Sequence, residues 1–192
     1  LIDSWRLFKP LDFIDVEGSH GQINKIVSWR DRFIFYQTNA MGLVFTNETN
    51  AVTDEKGNRL QIASAIPFSN YNYISTETGC FHRFAVVPTN SGLFHLDVNK
   101  KKIFKFHEGM EPLSDLKGIS GLLRSKLEGQ IVDIDNTLNG TGIHGEYYPE
   151  HNTVFYTFQS NGVRKKFAYT IGYNLALDAF ESFHSFIPGL YI

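Results

Sequence analysis

Apolar and polar positions alternate with a period of two over many short stretches of this chain, the spacing of strands that bury one face. The run Ile103-Phe104-Lys105-Phe106-His107 shows it plainly, with Phe104 and Phe106 on one face. The same pattern predicts strands at 25–29, 31–37, 42–47, 71–74, 83–87, 92–98, 102–106, 145–148, 153–158, 165–173 and 179–186. The last three form a meander with short loops, as an antiparallel sheet requires. Helical spacing occurs once, in Leu116, Ile119, Leu122, Leu123 and Leu127, and predicts one inserted helix over about 114–128. Ser114 is its expected N-cap and Gly129 its stop, while Gly118 and Gly121 weaken it. A loop is expected around 53–58. The opening stretch 1–16 is apolar, with Trp5 and Phe8, and Pro10 interrupts any helix there. It reads as extended packing, the last strand of a preceding unit.

A hairpin motif recurs three times within this pattern. Phe33 is followed by Thr38-Asn39 and Gly42-Leu43, Phe84 by Thr89-Asn90 and Gly92-Leu93, and Phe155 by Ser160-Asn161 and Gly162-Val163. Asn and Gly suit tight turns because they tolerate positive φ. The copies lie 51 and then 71 residues apart, and the surplus of 20 is about the size of the helix-bearing stretch 111–129. All-β units repeating every ~40–50 residues are the mark of propeller blades. The expected fold is therefore all-β, built of β-propeller-like antiparallel blades with one short helix inserted. Phe33, Phe84 and Phe155 are expected in equivalent inward positions. No linker divides residues 1–192, which read as a single β-propeller-type domain or a partial propeller from a longer chain.

Composition agrees with a strand-rich core: 42% of residues are hydrophobic and 15% aromatic, with 17 Phe and 9 Tyr. The net charge of −2 offers no basic field for nucleic acid. Cys80 is alone, so an intrachain disulfide is excluded. No apolar run approaches the ~18 residues of a membrane span, and the first residues show no signal-peptide pattern.

Candidate chemistry is sparse. Ile131-Val132-Asp133-Ile134-Asp135-Asn136-Thr137 resembles the first motif of haloacid-dehalogenase-type phosphohydrolases, where the first Asp is nucleophile and the second general acid. That chemistry needs a doubly wound sheet supplying a Lys and more carboxylates. The 54 residues after Leu138 read as hairpins instead, so a strand edge and an Asn139-Gly140 turn fit better. Asp133, Asp135, Asn136 and Asn139 are also hard oxygen donors of the kind Ca²⁺ takes, yet no EF-hand Glu follows at the needed distance. Asp12, Asp15 and Glu17 read as a solvated acidic loop. The seven histidines are scattered, without metal-ligand spacing. Lys100-Lys101-Lys102 with Lys105, and Arg164-Lys165-Lys166, are basic hairpin tips that could face a polyanion or simply protect an edge. No residue is assigned a catalytic, cofactor-binding or metal role, no cofactor is called for, and the chain is not expected to be an enzyme.

Several stretches resemble the propeller-bearing tail nozzle or muzzle proteins of short-tailed, crAss-like bacteriophages. They include Trp5-Arg6-Leu7-Phe8-Lys9-Pro10, Arg32 to Gln37, Tyr73 to His82, Ser91 to Ile103, Leu113 to Ile119, and Tyr173-Asn174 with Ala179 to Pro188. These are blade-building sequences that carry no chemistry. The resemblance implies a virion structural protein, made in the bacterial host cytoplasm and assembled as a homo-oligomeric ring with neighbouring tail or portal proteins. It also implies contact with packaged DNA, by parts of a longer protein. The competing reading is a carbohydrate-binding or glycoside-cleaving propeller module, which an exposed aromatic platform beside carboxylates would favour.

Overall fold

A computed structural model describes residues 13–46, 50–53, 59–62, 68–127, 134–160, 167–189 and 191. Strands β1 (Ile23–Trp29), β2 (Arg32–Gln37) and β3 (Met41–Thr46) run as an antiparallel meander. A separate two-stranded ribbon follows, β4 (Asn50–Thr53) with β5 (Arg59–Ile62), before β6 (Phe68–Ser75) returns beside β3. The second sheet is β7 (Val86–Thr89), β8 (Gly92–Asp97), β9 (Lys102–Phe106) and the short β10 (Met110–Glu111). The third is β11 (Gly142–Tyr148), β12 (Thr153–Ser160), β13 (Phe167–Asn174) and β14 (Ala179–His184). The expected all-β fold of antiparallel repeats is thus present as three four-stranded meanders. The sequence reading missed the β4–β5 ribbon, placing only a loop there.

The expected single helix is two, α1 (Leu113–Leu116) and α2 (Ser120–Leu127). The chain turns between them at Gly118, whose φ of 77° is open to glycine at little cost. Ser114 is not the cap. It is buried, and its hydroxyl accepts a hydrogen bond from Ile103 N at 3.3 Å, tying α1 to β9.

The motif turns also work differently from the sequence expectation: neither Asn39 nor Asn90 takes a positive φ. The tight β1–β2 turn, outside the motif, holds Arg30 and Asp31 at φ of 50° and 59°. At Thr89–Gly92 the Thr89 hydroxyl oxygen accepts from Ser91 N and Gly92 N, so a side chain closes the turn. The third copy of the motif turn, Asn161 to Val163, lies outside the described residues, as do Trp5 and Phe8.

Phe33, Phe84 and Phe155 do not point inward. Phe33 is 41% exposed, and Phe155 sits on the outer face of its sheet, while Val154 and Tyr156 fill the core. Phe84 precedes β7 and is half-buried, its ring near the Lys25 ammonium and Arg83 guanidinium. The buried position is the next one along, Ile34, Ala85 and Tyr156, each no more than 1% exposed. Period-two alternation locates the strands but leaves open which set faces the core, and the motif aromatic was assigned to the wrong set.

The second sheet lies between the other two. All six residues of β8 are buried. His95 packs against Tyr36 of the first sheet, and Phe94 against Tyr173 of the third, so alternate side chains serve opposite neighbours. Leu113, Leu123 and Leu127 from the two helices join the same core. The first strands of the sheets converge: β7 lies against both β1 and β11. Gly145 N donates to Phe84 O at 2.8 Å, and Trp29 Nε1 to Thr89 O at 2.7 Å.

Two glycines sit where a side chain has no room, Gly79 against backbone and Gly42 against a ring. A Cβ on Gly79 would lie 2.3 Å from Gln37 O and 2.5 Å from Ala40 N, and one on Gly42 would meet the Phe35 ring. Backbone cannot swing aside as a side chain can. Gly79→Ala is expected to lower stability by about 1–3 kcal/mol, read from the urea midpoint. An unchanged midpoint would mean the β2–β3 connection does not hold the next loop as described.

Candidate functional site

Three places gather polar or aromatic groups. The first is the buried seam between the first and second sheets. The Thr78 hydroxyl donates to Asp97 Oδ2 at 3.0 Å, and Gly79 N donates to the same oxygen at 3.4 Å. Lys100 N donates to Asp97 Oδ1 at 2.9 Å. The Thr78 oxygen lies 3.2 Å from His95 Nε2. Because Thr78 has one hydrogen and gives it to Asp97, Nε2 must carry the proton that meets the Thr78 oxygen. His95 stacks on Phe104 with ring centroids 5.5 Å apart. Burial holds its pKa down to about 3, and burial likewise raises the Asp97 carboxyl. Beside them the Cys80 thiol donates to His82 O and Leu96 O, and burial pushes its pKa far above the usual thiol range. Such a thiol stays protonated and is a poor nucleophile. The seam is a latch between sheets, with no open face for a substrate.

The second place is the cleft of about 370 Å³ where β1, β7 and β11 converge, with Lys25, Ser28, Phe84, Val86 and Glu146 on its walls. The third is a cavity of about 660 Å³ on the outer face of the third sheet. Tyr148 and His151 line it with ring centroids 5.1 Å apart. Phe155, His184 and Phe186 line it too, in mutual ring contact at 4.8–5.5 Å. Glu146, the cross-strand partner of Phe155, also borders it.

The sequence-level candidates are otherwise occupied. Asp133 lies outside the described residues. Asp135 Oδ2 accepts from Arg83 N at 3.1 Å and Arg83 Nε at 3.0 Å, clasping the segment after α2 to the approach of β7. The Asn136 side chain accepts from Asn139 N, a local turn bond. Among the described residues no group of three or more His, Cys, Asp or Glu side chains is placed to hold a metal ion. Of the basic tips, Lys102 pairs with Asp115 and Lys100 lies 3.9 Å from Glu77. Arg164 to Lys166 lie outside the described residues. No helix among the described residues is long and apolar enough to cross a membrane.

The sequence profile of the crassvirus muzzle proteins matches residues 1–192, the whole chain. The chain belongs to the crassvirus muzzle protein family. It is also similar to the protein named "Muzzle protein" of Bacteroides phage crAss001, at 20% identity over 193 residues. That alignment covers 99% of this chain and 13% of the phage protein's length.

Sequence reasoning missed Thr78, His95 and Asp97, because their meeting is made by the packing of two sheets and not by spacing along one. It also missed the aromatic cavity, although Tyr147-Tyr148 beside His151 was a visible cluster.

The seam generates a pH prediction. Unfolded, His95 binds a proton near its ordinary value of 6.5, whereas the folded site refuses it until about 3. The unfolded state therefore holds more protons across that window, and stability falls as the pH drops from about 6.5 toward 3. Asp97, raised by burial, opposes this over the carboxylate range. Urea midpoints measured from pH 7 to 4 should decline, and His95→Gln should flatten the slope. An unaltered slope would show that His95 is not the group refusing the proton.

Proposed function

We propose that this chain is a wall segment of a phage tail muzzle. Its three meanders are successive blades of one β-propeller, completed by residues of a longer protein. The muzzle is a ring of identical subunits next to other tail or portal proteins, and the genome passes through it. The observation that carries the reading is the pair of apolar outer faces at the ends of the three-sheet stack. On the first sheet Ile26 is 55% and Phe33 41% exposed, and on the third Tyr148 is 39% and Phe186 45% exposed. Exposed apolar surface of this kind marks places where something else packs.

Other features support the same reading. A propeller needs about four to eight blades, and this chain supplies three meanders. The crAss001 relative is several times longer, which leaves residues enough for the rest. Two different end faces suit the head-to-tail contacts that close rings. A net charge of −2 gives no phosphate-binding field, so a passing genome would not be held by this segment. The seam's protonated thiol and the bond between Thr78 and Asp97 support a scaffold role.

Light scattering across a concentration series tests the proposal. The isolated chain should associate as its concentration rises, and Ile26→Ser with Phe33→Ser should weaken that association without lowering the melting temperature. A strictly monomeric chain at high concentration would make this a self-contained module and contradict a wall segment with unsatisfied ends.

A further inference from the structure

The cavity on the third sheet combines features that neither a wall nor a core requires. Its volume of about 660 Å³ falls in the middle of the range for small-ligand sites, ~300–1,000 Å³. Tyr148 and Phe186 are substantially exposed, so aromatic faces are presented and not filled by this chain. Glu146 borders the same cavity, and its carboxylate makes no hydrogen bond or ion pair among the described residues.

We infer that this cavity binds a neutral saccharide, a function separate from the wall role. The lining narrows the ligand class. Among the described residues no Lys or Arg borders the cavity, and Glu146 repels anions, so a phosphate or acidic ligand finds no counter-charge there. A quaternary cation would also meet aromatic faces and one carboxylate, and competition by tetramethylammonium separates it from a sugar. A purely apolar guest would leave the Glu146 carboxylate desolvated and unpaired. A sugar ring satisfies all of these. Its C–H faces lie on Tyr148 and the Phe155–Phe186 wall, and its hydroxyls donate to Glu146 and reach the imidazoles. The site binds and does not cleave. Glycoside hydrolysis needs two carboxyl groups across the scissile bond, and among the described residues Glu146 is the single carboxylate bordering the cavity. The nearby Glu150 already accepts the Tyr148 hydroxyl at 2.6 Å.

Saturation-transfer NMR on the 192-residue chain tests this with maltose, cellobiose, lactose and N,N′-diacetylchitobiose at about 10 mM, where weak sites are occupied. At least one sugar should receive saturation on its ring C–H protons. Tyr148→Ala should weaken that sugar by about tenfold, the size of one lost stacking contact. Glu146→Gln keeps the shape but removes the charge, and should weaken the same sugar without changing the melting temperature. Should Tyr148→Ala prove unstable, Glu146→Gln decides alone. No saturation of any sugar, saturation indifferent to Glu146→Gln, or displacement of the sugar by millimolar tetramethylammonium would overturn the assignment. The association test substitutes Ile26 and Phe33 on the first sheet and the sugar test Tyr148 and Glu146 on the third, so a failure of the wall role and a failure of the sugar site are told apart.

Discussion

Strand β8 carries the arrangement because both of its faces are covered, Leu93, His95 and Asp97 toward the first sheet and Phe94 and Leu96 toward the third. A strand wet on one side would alternate apolar and polar. This one places a histidine and a carboxylate where water cannot reach, and removing such groups from water costs several kcal/mol unless they are bonded. Thr78, Gly79 and Lys100 supply bonds to Asp97 from outside the strand, and Thr78 also meets His95 Nε2, while His95 Nδ1 stays buried without a partner. The seam therefore forms only when the β6–β7 connection and the β8–β9 turn are both in place. Its net gain is about 1 kcal/mol per bond, but any bond left unmade is more costly, which makes the register between sheets specific.

The other contacts follow from that register. With β8 fixed, Trp29 reaches Thr89 O, Gly145 meets Phe84 O, and the first strand of each sheet is brought to one cleft. The helices cap the stack from the β10 side, with Ser114 bonded to Ile103 and Lys117 paired with Asp178 across to the β13–β14 turn. What is left over lies at the two ends. The outer faces are only partly covered, by Glu17 and His20 against Tyr73 on the first sheet and by Phe186 and Tyr191 on the third. A rigid middle with unfinished ends is what a member of a muzzle family needs if its job is to stand between neighbours.

Much of the fold was legible before the structure. The strand at 102–106 was bounded correctly because Ile103 to Phe106 alternate and turns flank them, and the β2–β3 and β12–β14 hairpins were read nearly to their ends. The helix was read as one because its leucines keep phase across Gly118, while the break is a backbone event that side-chain spacing does not record. The inward Phe assignment failed by one position, the shift that period two cannot detect. The seam was illegible for a different reason: Thr78, in the β6–β7 connection, and Asp97, at the end of β8, are 19 residues apart, and nothing local marks either as buried. Family likeness was carried by the blade-building stretches, and the profile match over residues 1–192 agrees.

Calorimetry of the isolated chain tests most directly whether β8 binds the three sheets into one body. If it does, the chain melts in a single transition whose calorimetric and van't Hoff enthalpies agree. Asp97→Asn should then lower that one transition as a whole. Two separated transitions, with Asp97→Asn moving only one of them, would contradict a rigid three-sheet unit and the wall role built on it.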